Sequence, residues 1–350
     1  MKKALIALAA LGLTGGAAVA QSSVTLFGVI DADMKYVKTG SVKLKKLDSS
    51  GLNTSRFGVR GTEDLGGGLK AGFWLESEVF VDNGAADASR FWGRRATVSL
   101  SGDFGEVRLG RNKTVSRLHV EEFDPFAFTG LGNVGAVYSN LGSGNSTSFG
   151  RADNLVSYSL PTNLGGLYGG VDVSAGEGTS TNKGQSARLG YKNGPLHLSG
   201  AYASTSNGND SSKFKLASLG GAYDFGVARP SLSYTETKYM SRKQQILTAA
   251  VTVPVGQGQF VASYTDAKAN SAAEVSASGV TNVTAFTAIG DAKLFALGYA
   301  YNLSKRTALY TTYSQIDNKG NAQFRVGGSP VVAGGGLKSS GFDVGMKHSF

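Results

Sequence analysis

Histidine is the side chain best suited to acid–base or metal chemistry near neutral pH. The chain has three, His119, His197 and His348, far apart and none at H-x-x-x-H spacing, and it has no Cys. His119 has Glu121 and Glu122 nearby but no second imidazole in its segment, so no metal centre is expected. A Ser–His–acid hydrolase could recruit His197, because such triads are recognised by geometry rather than chain order. No G-x-S-x-G turn supports that reading, and serines are too abundant to signal a nucleophile. Gly130-Leu131-Gly132-Asn133-Val134-Gly135 matches G-x-G-x-x-G, but Ser/Gly/Asn-rich chain follows where a dinucleotide site needs a helix. The expectation is a chain with no catalytic residue, no metal and no cofactor.

What remains is charge set on alternating positions. Val24, Leu26, Gly28, Ile30, Ala32, Met34 and Tyr36 share one face of a period-2 pattern. Asp31, Asp33 and Lys35 lie on the other face with Thr25, Phe27 and Val29, where ionisable groups call for water. Phe57 and Val59 likewise oppose Arg56, Gly58, Arg60 and Thr62. Phe295, Leu297, Tyr299 and Tyr301 repeat the alternation near the C-terminus. Exceptions are Trp74, on the face of Lys70, Glu76 and Glu78, and Phe27 and Val29. Such segments are strands with one apolar and one wet face.

The elements carrying these faces are legible from punctuation. Short turns (Asp64 to Gly68, Gly102 to Gly105, Asn193-Gly194) alternate with long polar links (Val37 to Thr54, Val81 to Arg90, Lys268 to Gly290, Lys319 to Lys338). Strands are expected to start near Ser23, Ser55, Leu69, Trp92, Glu106, Arg151, Leu167, Gln185, Pro195, Lys213, Val227, Lys243, Gly258, Asp291, Thr307 and Ser339. Sixteen is an even number, as a closed antiparallel sheet requires. The fold class is therefore all-β, a 16-stranded antiparallel transmembrane β-barrel; an exported β-sandwich would need far fewer strands.

The ends and composition agree. Met1-Lys2-Lys3, the apolar Ala4 to Leu13 and Ala18-Val19-Ala20 have the layout of a cleaved leader, giving a signal peptide over 1–20 and one domain over 21–350. Fifty glycines with 18 Phe and 14 Tyr are too many for a helical bundle and too aromatic for disorder. After the leader no apolar run approaches the ~20 residues of a membrane helix, so strands must do any spanning. The net charge is +10, yet no helical basic stripe or stacking platform points to nucleic acid.

Laid out this way, the chain resembles the general (non-specific) porins of Gram-negative bacteria, in particular the β-proteobacterial branch. The resemblance covers the whole chain and rests on Ser22-Ser23-Val24-Thr25-Leu26-Phe27-Gly28-Val29-Ile30-Asp31, Ser55-Arg56-Phe57-Gly58-Val59-Arg60-Gly61-Thr62-Glu63-Asp64-Leu65-Gly66-Gly67-Gly68-Leu69 and Leu100-Ser101-Gly102-Asp103-Phe104-Gly105-Glu106-Val107-Arg108-Leu109-Gly110-Arg111. It includes the alternation of Phe342, Val344, Met346 and His348 up to Phe350, which implies an assembly signal read by the outer-membrane assembly machinery; His348 stands where an aromatic residue is more usual. The resemblance implies a long third loop, here about 112–150, folded into the barrel as a constriction. Glu121, Glu122 and Asp124 would be its acids, with Glu121 replacing a usual proline so that Glu121 and Glu122 both stay candidates; Asp124 is open to a plain solvated-surface reading. Arg56, Arg94 and Arg151 would form the facing basic wall, with Lys35 and Arg60 beside them. Arg94 and Arg95 differ by one residue and thus by face; the phase of Ala96 and Val98 favours Arg94.

The resemblance further implies passive diffusion of small hydrophilic solutes and inorganic anions, an outer-membrane location among lipid and lipopolysaccharide, and a homotrimer. Basic side chains lining the pore would favour anions. The alternatives are a substrate-selective channel for phosphate or small carboxylates, and a barrel serving as an adhesin or surface structural protein.

Overall fold

The computed structural model describes residues 23–143, 150–178, 183–207, 209–273 and 289–350. The leader expected over 1–20 lies outside the described residues. The strands are β1 (Ser23–Thr39), β2 (Val42–Ser49), β3 (Arg56–Gly66), β4 (Leu69–Phe80), β5 (Ala85–Ala86), β6 (Arg95–Gly102), β7 (Gly105–Lys113), β8 (Arg151–Ser159) and β9 (Leu167–Ser174). They continue as β10 (Gly184–Asn193), β11 (Leu196–Asn207), β12 (Asn209–Tyr223), β13 (Arg229–Tyr239), β14 (Arg242–Val255), β15 (Gly258–Ala269), β16 (Ala292–Asn302), β17 (Thr307–Asn318) and β18 (Ser339–Ser349). Helix α1 (Val115–Glu122) and a 3-10 turn, Val134–Val137, lie between β7 and β8.

Neighbouring strands pair antiparallel, and β18 returns to β1 from Val29↔Ser349 to Thr39↔Ser339. Closure leaves no free edge, which is what lets strands cross a membrane with every ladder group paired. At the seam the Gly28 N–H donates to Phe350 O and the Phe350 N–H to Gly28 O, both at 3.1 Å. The C-terminal aromatic residue thus extends the β1–β18 ladder.

β2 falls inside the segment Val37 to Thr54 that reads as a polar link, and this corrects the expectation. β1 pairs with β2 from Ala32↔Ser49 to Thr39↔Val42 and then with β3 from Ser23↔Thr62 to Val29↔Arg56. β2 and β3 are therefore two halves of one wall strand, and β5 is a short ribbon on β4. The closed wall has sixteen strands. Residues 50–55 leave the wall between the halves and turn inward around Asp31. Its carboxylate accepts the N–H groups of Gly51 (3.0 Å), Leu52 (3.1 Å) and Asn53 (2.6 Å), and the Tyr310 hydroxyl.

Alternation sets the two faces as expected. Val24, Leu26 and Met34 are 57–69% exposed on the outside, while Asp31, Asp33 and Lys35 point in. Leu219 is likewise exposed on the outside. The inward trio, however, does not meet open water: the three side chains are buried. Lys35 pairs with Asp48 at 3.0 Å and Asp33 at 3.4 Å. Lys35 is thus a brace within the wall, not the lumen-lining cation expected, because β2 brings Asp48 over it. At the other end of β3, Gly66, Gly67 and Gly68 have φ of +84°, +60° and +81°. Three successive left-handed residues admit only glycine without strain, and they make the tight turn into β4.

Candidate functional site: the third loop against a charged wall

The segment between β7 and β8 lies on the inner face of the barrel and is held there residue by residue. Thr114 caps α1 by accepting the Arg117 N–H at 3.2 Å. The Val115 N–H donates to the Asp172 carboxylate of β9 at 2.6 Å, a negative charge at the helix's positive end. His119 bridges Ser199 of β11 (3.0 Å) and Ser218 of β12 (2.9 Å). Phe123 is buried over Gly220, where any Cβ would strike its ring, and Phe126 packs on Val261 and Ala296. Farther on, the Tyr138 hydroxyl donates to Thr235 at 2.9 Å. Gln244 accepts the Ser139 N–H and donates to Val137 O, both at 2.9 Å.

Around this seat runs an apolar core inside the barrel, including Leu131, Val137, Leu141, Phe214, Leu216, Ile246 and Leu294. Burial, then the nearby Arg188 and His197, hold the His119 imidazole down at about 4, so it sits neutral between its two hydroxyls.

The loop acids separate into three roles. Glu121 accepts from Lys113 Nζ and Arg117 Nε, each at 2.6 Å. Glu122 turns to the opposite side, to Arg188 (2.5 Å), His197 Nε2 (3.0 Å) and the Tyr168 hydroxyl (2.9 Å). Asp124 corrects both of its readings: it is neither solvated nor at the slot. Its buried carboxylate accepts the N–H groups of Phe126 (2.9 Å), Phe128 (2.9 Å) and Val134 (3.2 Å), folding the loop on itself. Burial raises its pKa to about 6 even against those three bonds.

On the facing wall three of the expected cations gather about one carboxylate. Glu76 of β4 holds Arg94 Nε at 2.6 Å and Arg56 Nε at 3.8 Å, and Glu78 holds Arg94 at 3.3 Å. Arg151 donates to Arg94 O at 2.8 Å and stands opposite Lys113 in the β7–β8 ladder. Arg56, Arg94, Lys113, Arg117 and Arg151 thus face Glu76, Glu78 and Glu121, a surplus of two positive charges.

Arg94 does not owe its inward position to the phase of Ala96 and Val98, as expected, but to its place before the strand. Val98 and Leu100 face outward, so β6 places Arg95 on the inner face with Thr97. Arg94 precedes the strand and escapes its alternation, turning inward to Glu76, so both arginines point in.

Arg60 lies apart from this cluster. Its guanidinium stands over Trp74 (5.0 Å) and Phe27 (5.3 Å), which explains the two aromatic exceptions on the wet face. Sequence reasoning missed Glu76, Glu78, Lys113 and Arg117 as members of the site. Glu76 sits on the wet face of β4, and Arg117–Glu121 has i,i+4 spacing, a signal that was available.

A closed sixteen-stranded wall with a loop folded onto charged strands is the architecture of a diffusion pore. The chain matches the Gram-negative porin family over residues 7–321. The chain belongs to that family.

The porin is 40% identical over 384 residues to outer membrane porin protein 32 of Delftia acidovorans, all of both chains being covered. It is 33% identical to an outer membrane porin protein of Bordetella pertussis, again over the whole of both chains. Among solved structures, the anion-selective porin from Comamonas acidovorans superposes with a TM-score of 0.80 at 36% identity, covering 94% of this chain and 100% of that one. OmpF of Salmonella typhi, at 17% identity and TM-score 0.68 over 93% of this chain, shares the fold. The porin is an outer-membrane protein of β-barrel type whose function is that of a channel.

Proposed function

We propose that this porin is an anion-preferring channel for passive diffusion of small hydrophilic solutes, and that the surplus of positive charge where the third loop meets the wall sets the preference. The observation that carries the reading is the five-to-three balance of Arg56, Arg94, Lys113, Arg117 and Arg151 against Glu76, Glu78 and Glu121. A cation about 7 Å from a passing anion contributes about 0.6 kcal/mol in water. Two give about 1.2 kcal/mol, and screening over a Debye length near 8 Å removes somewhat more than half. What remains is about 0.5 kcal/mol in favour of an anion and as much against a cation, roughly a fivefold preference, which favours anions without excluding cations. A relative of 36% identity that is named anion-selective supports the sign. The same reading takes residues 1–20 as a cleaved leader, 21–350 as the barrel, Phe350 as the assembly signal, and a homotrimer in which each chain lines its own pore.

The test is the reversal potential of single channels under a KCl gradient. A chloride-favouring potential that falls toward zero in Arg56→Ala with Arg151→Ala is the expected result. A potassium-favouring potential in the parent protein would reverse the reading, and an unchanged one in the double variant would remove these two residues from the site.

A further inference from the structure

A second basic cluster lies on the same wall, beyond the constriction and apart from the five cations gathered there. Arg60 of β3 stands directly across the ladder from Trp74 of β4, and Arg95 of β6 faces Glu76, the next inward residue after Trp74. The guanidinium carbons lie 5.0 Å (Arg60) and 4.4 Å (Arg95) from the Trp74 ring, and Phe27 packs edge-on to that ring at 5.0 Å. Neither Arg60 nor Arg95 forms an ion pair among the described residues; Arg95 Nε donates only to Thr97 Oγ1, at 3.0 Å. Arg108, by contrast, is paired with Glu106 at 2.5 Å.

Arg60, Trp74 and Arg95, with the Arg108–Glu106 pair, line an open cleft of about 540 Å³. Arg60 is four residues beyond Arg56 along β3, roughly 13 Å nearer the short Gly66–Gly68 turn at about 3.3 Å per residue. Short turns mark the periplasmic end of such barrels.

We propose that the Arg60–Trp74–Arg95 cleft is a second solute site, on the periplasmic side of the constriction, that holds small aromatic carboxylates. The charge selects an anion, because two guanidiniums lack a carboxylate of their own. The fork of a guanidinium matches a carboxylate through two parallel N–H···O bonds, which a spherical halide cannot use. Cation–π contact with Trp74 restrains both guanidiniums and lowers the entropy lost when they bind. The cleft far exceeds the size of a chloride ion, and the Trp74 ring, backed edge-on by Phe27, supplies the apolar surface an aromatic body would cover. A solute leaving the constriction would meet this site next.

The sequence contains two tryptophans, Trp74 and Trp92, so Trp92→Phe leaves a single fluorophore inside the proposed site. Folded Trp92→Phe protein, checked by its conductance steps, is titrated with benzoate, acetate and inorganic phosphate while Trp74 emission is recorded. A saturable change with benzoate, at a lower midpoint than with acetate or phosphate, is the expected result. Adding Arg60→Ala and Arg95→Ala should raise the benzoate midpoint at least about tenfold, the loss of one or two charge-assisted hydrogen bonds.

If the alanine variant does not fold, Arg60→Lys with Arg95→Lys keeps the charge and removes the fork, and a raised midpoint is again expected. A non-saturating response, equal midpoints for the three anions, or a midpoint unmoved by the arginine substitutions would overturn the proposal. Emission from Trp74 does not depend on the reversal potential, so this test and that of anion preference fail separately.

Discussion

Glu121 and Glu122 are adjacent in the chain yet turn to different partners along the pore wall: Glu121 binds Lys113 of β7 and Arg117 of its own helix, and Glu122 binds Arg188 of β10 and His197 of β11. They close the last turn of α1, where neighbouring side chains project about 100° apart. The loop is thereby clamped between the β7–β8 wall and β10–β11, and only Glu121 subtracts from the charge of the basic cluster.

Neutralising Glu121 should therefore strengthen anion preference. Glu121→Gln raises the surplus from two charges to three, which is worth roughly a further twofold in anion-to-cation preference after screening. Glu122→Gln should move the reversal potential less and increase current noise, since it frees Arg188 and loosens the loop. Reversal potentials of the two variants in the same gradient decide the point; equal shifts would contradict the division of roles.

Asp31 is the pin that holds residues 50–55 inside the barrel. Asp31→Ala strands the N–H groups of Gly51, Leu52 and Asn53 and the Tyr310 hydroxyl. Each orphaned buried donor costs about 1–3 kcal/mol. The variant should melt at lower temperature by calorimetry, and unchanged melting would mean that water replaces the carboxylate.

Gly220 lies under Phe123, and an added methyl would strike the ring. Gly220→Ala should lift the loop from β12 and change the conductance, while the outward residues and hence the barrel's assembly stay as they are. A conductance equal to that of the parent would show that Phe123 can shift without moving the loop.

Acidification should loosen the loop through His119. Its pKa falls from 6.5 to about 4 on folding. The stability it contributes is therefore complete above pH 6.5 and lost as pH falls toward 4. Asp124 has the opposite sign: raised from 3.8 to about 6, its contribution is complete below pH 3.8 and lost as pH rises through 6. Current noise should grow between pH 6.5 and 4. It should grow more in Asp124→Asn, which lacks the compensating proton, and fall in His119→Gln, where Asp124 alone titrates and tightens the loop as pH drops. A pH-independent His119→Gln channel with an equally flat parent would refute the coupling.

Much of this protein is determined by short-range pattern. Alternation from Val24 to Tyr36 assigns inside and outside because successive side chains of a strand point to opposite faces. Strand starts follow from turn residues: apart from the second wall strand, which begins at Val42 with β2 where a start near Ser55 was expected, the wall strands begin within four residues of expectation, as Asn209 does against Lys213. The basic residues Arg56, Arg94 and Arg151 were legible as one set and do converge around Glu76.

Alternation assigns a face, however, and not the neighbours on it or the cover above it. Lys35 has an inward phase, but only the folding-back of β2 puts Asp48 over it. Arg94 lies one residue before β6, where the phase no longer applies. Asp124 is an acid in a polar-looking loop, buried because Phe126, Phe128 and Val134 curl around its carboxylate. The contacts that seat the loop join residues far apart in the chain, His119 to Ser218 and Tyr138 to Thr235 among them. Tertiary structure decided these because they depend on which wall strands curve round to meet the loop once the sheet has closed.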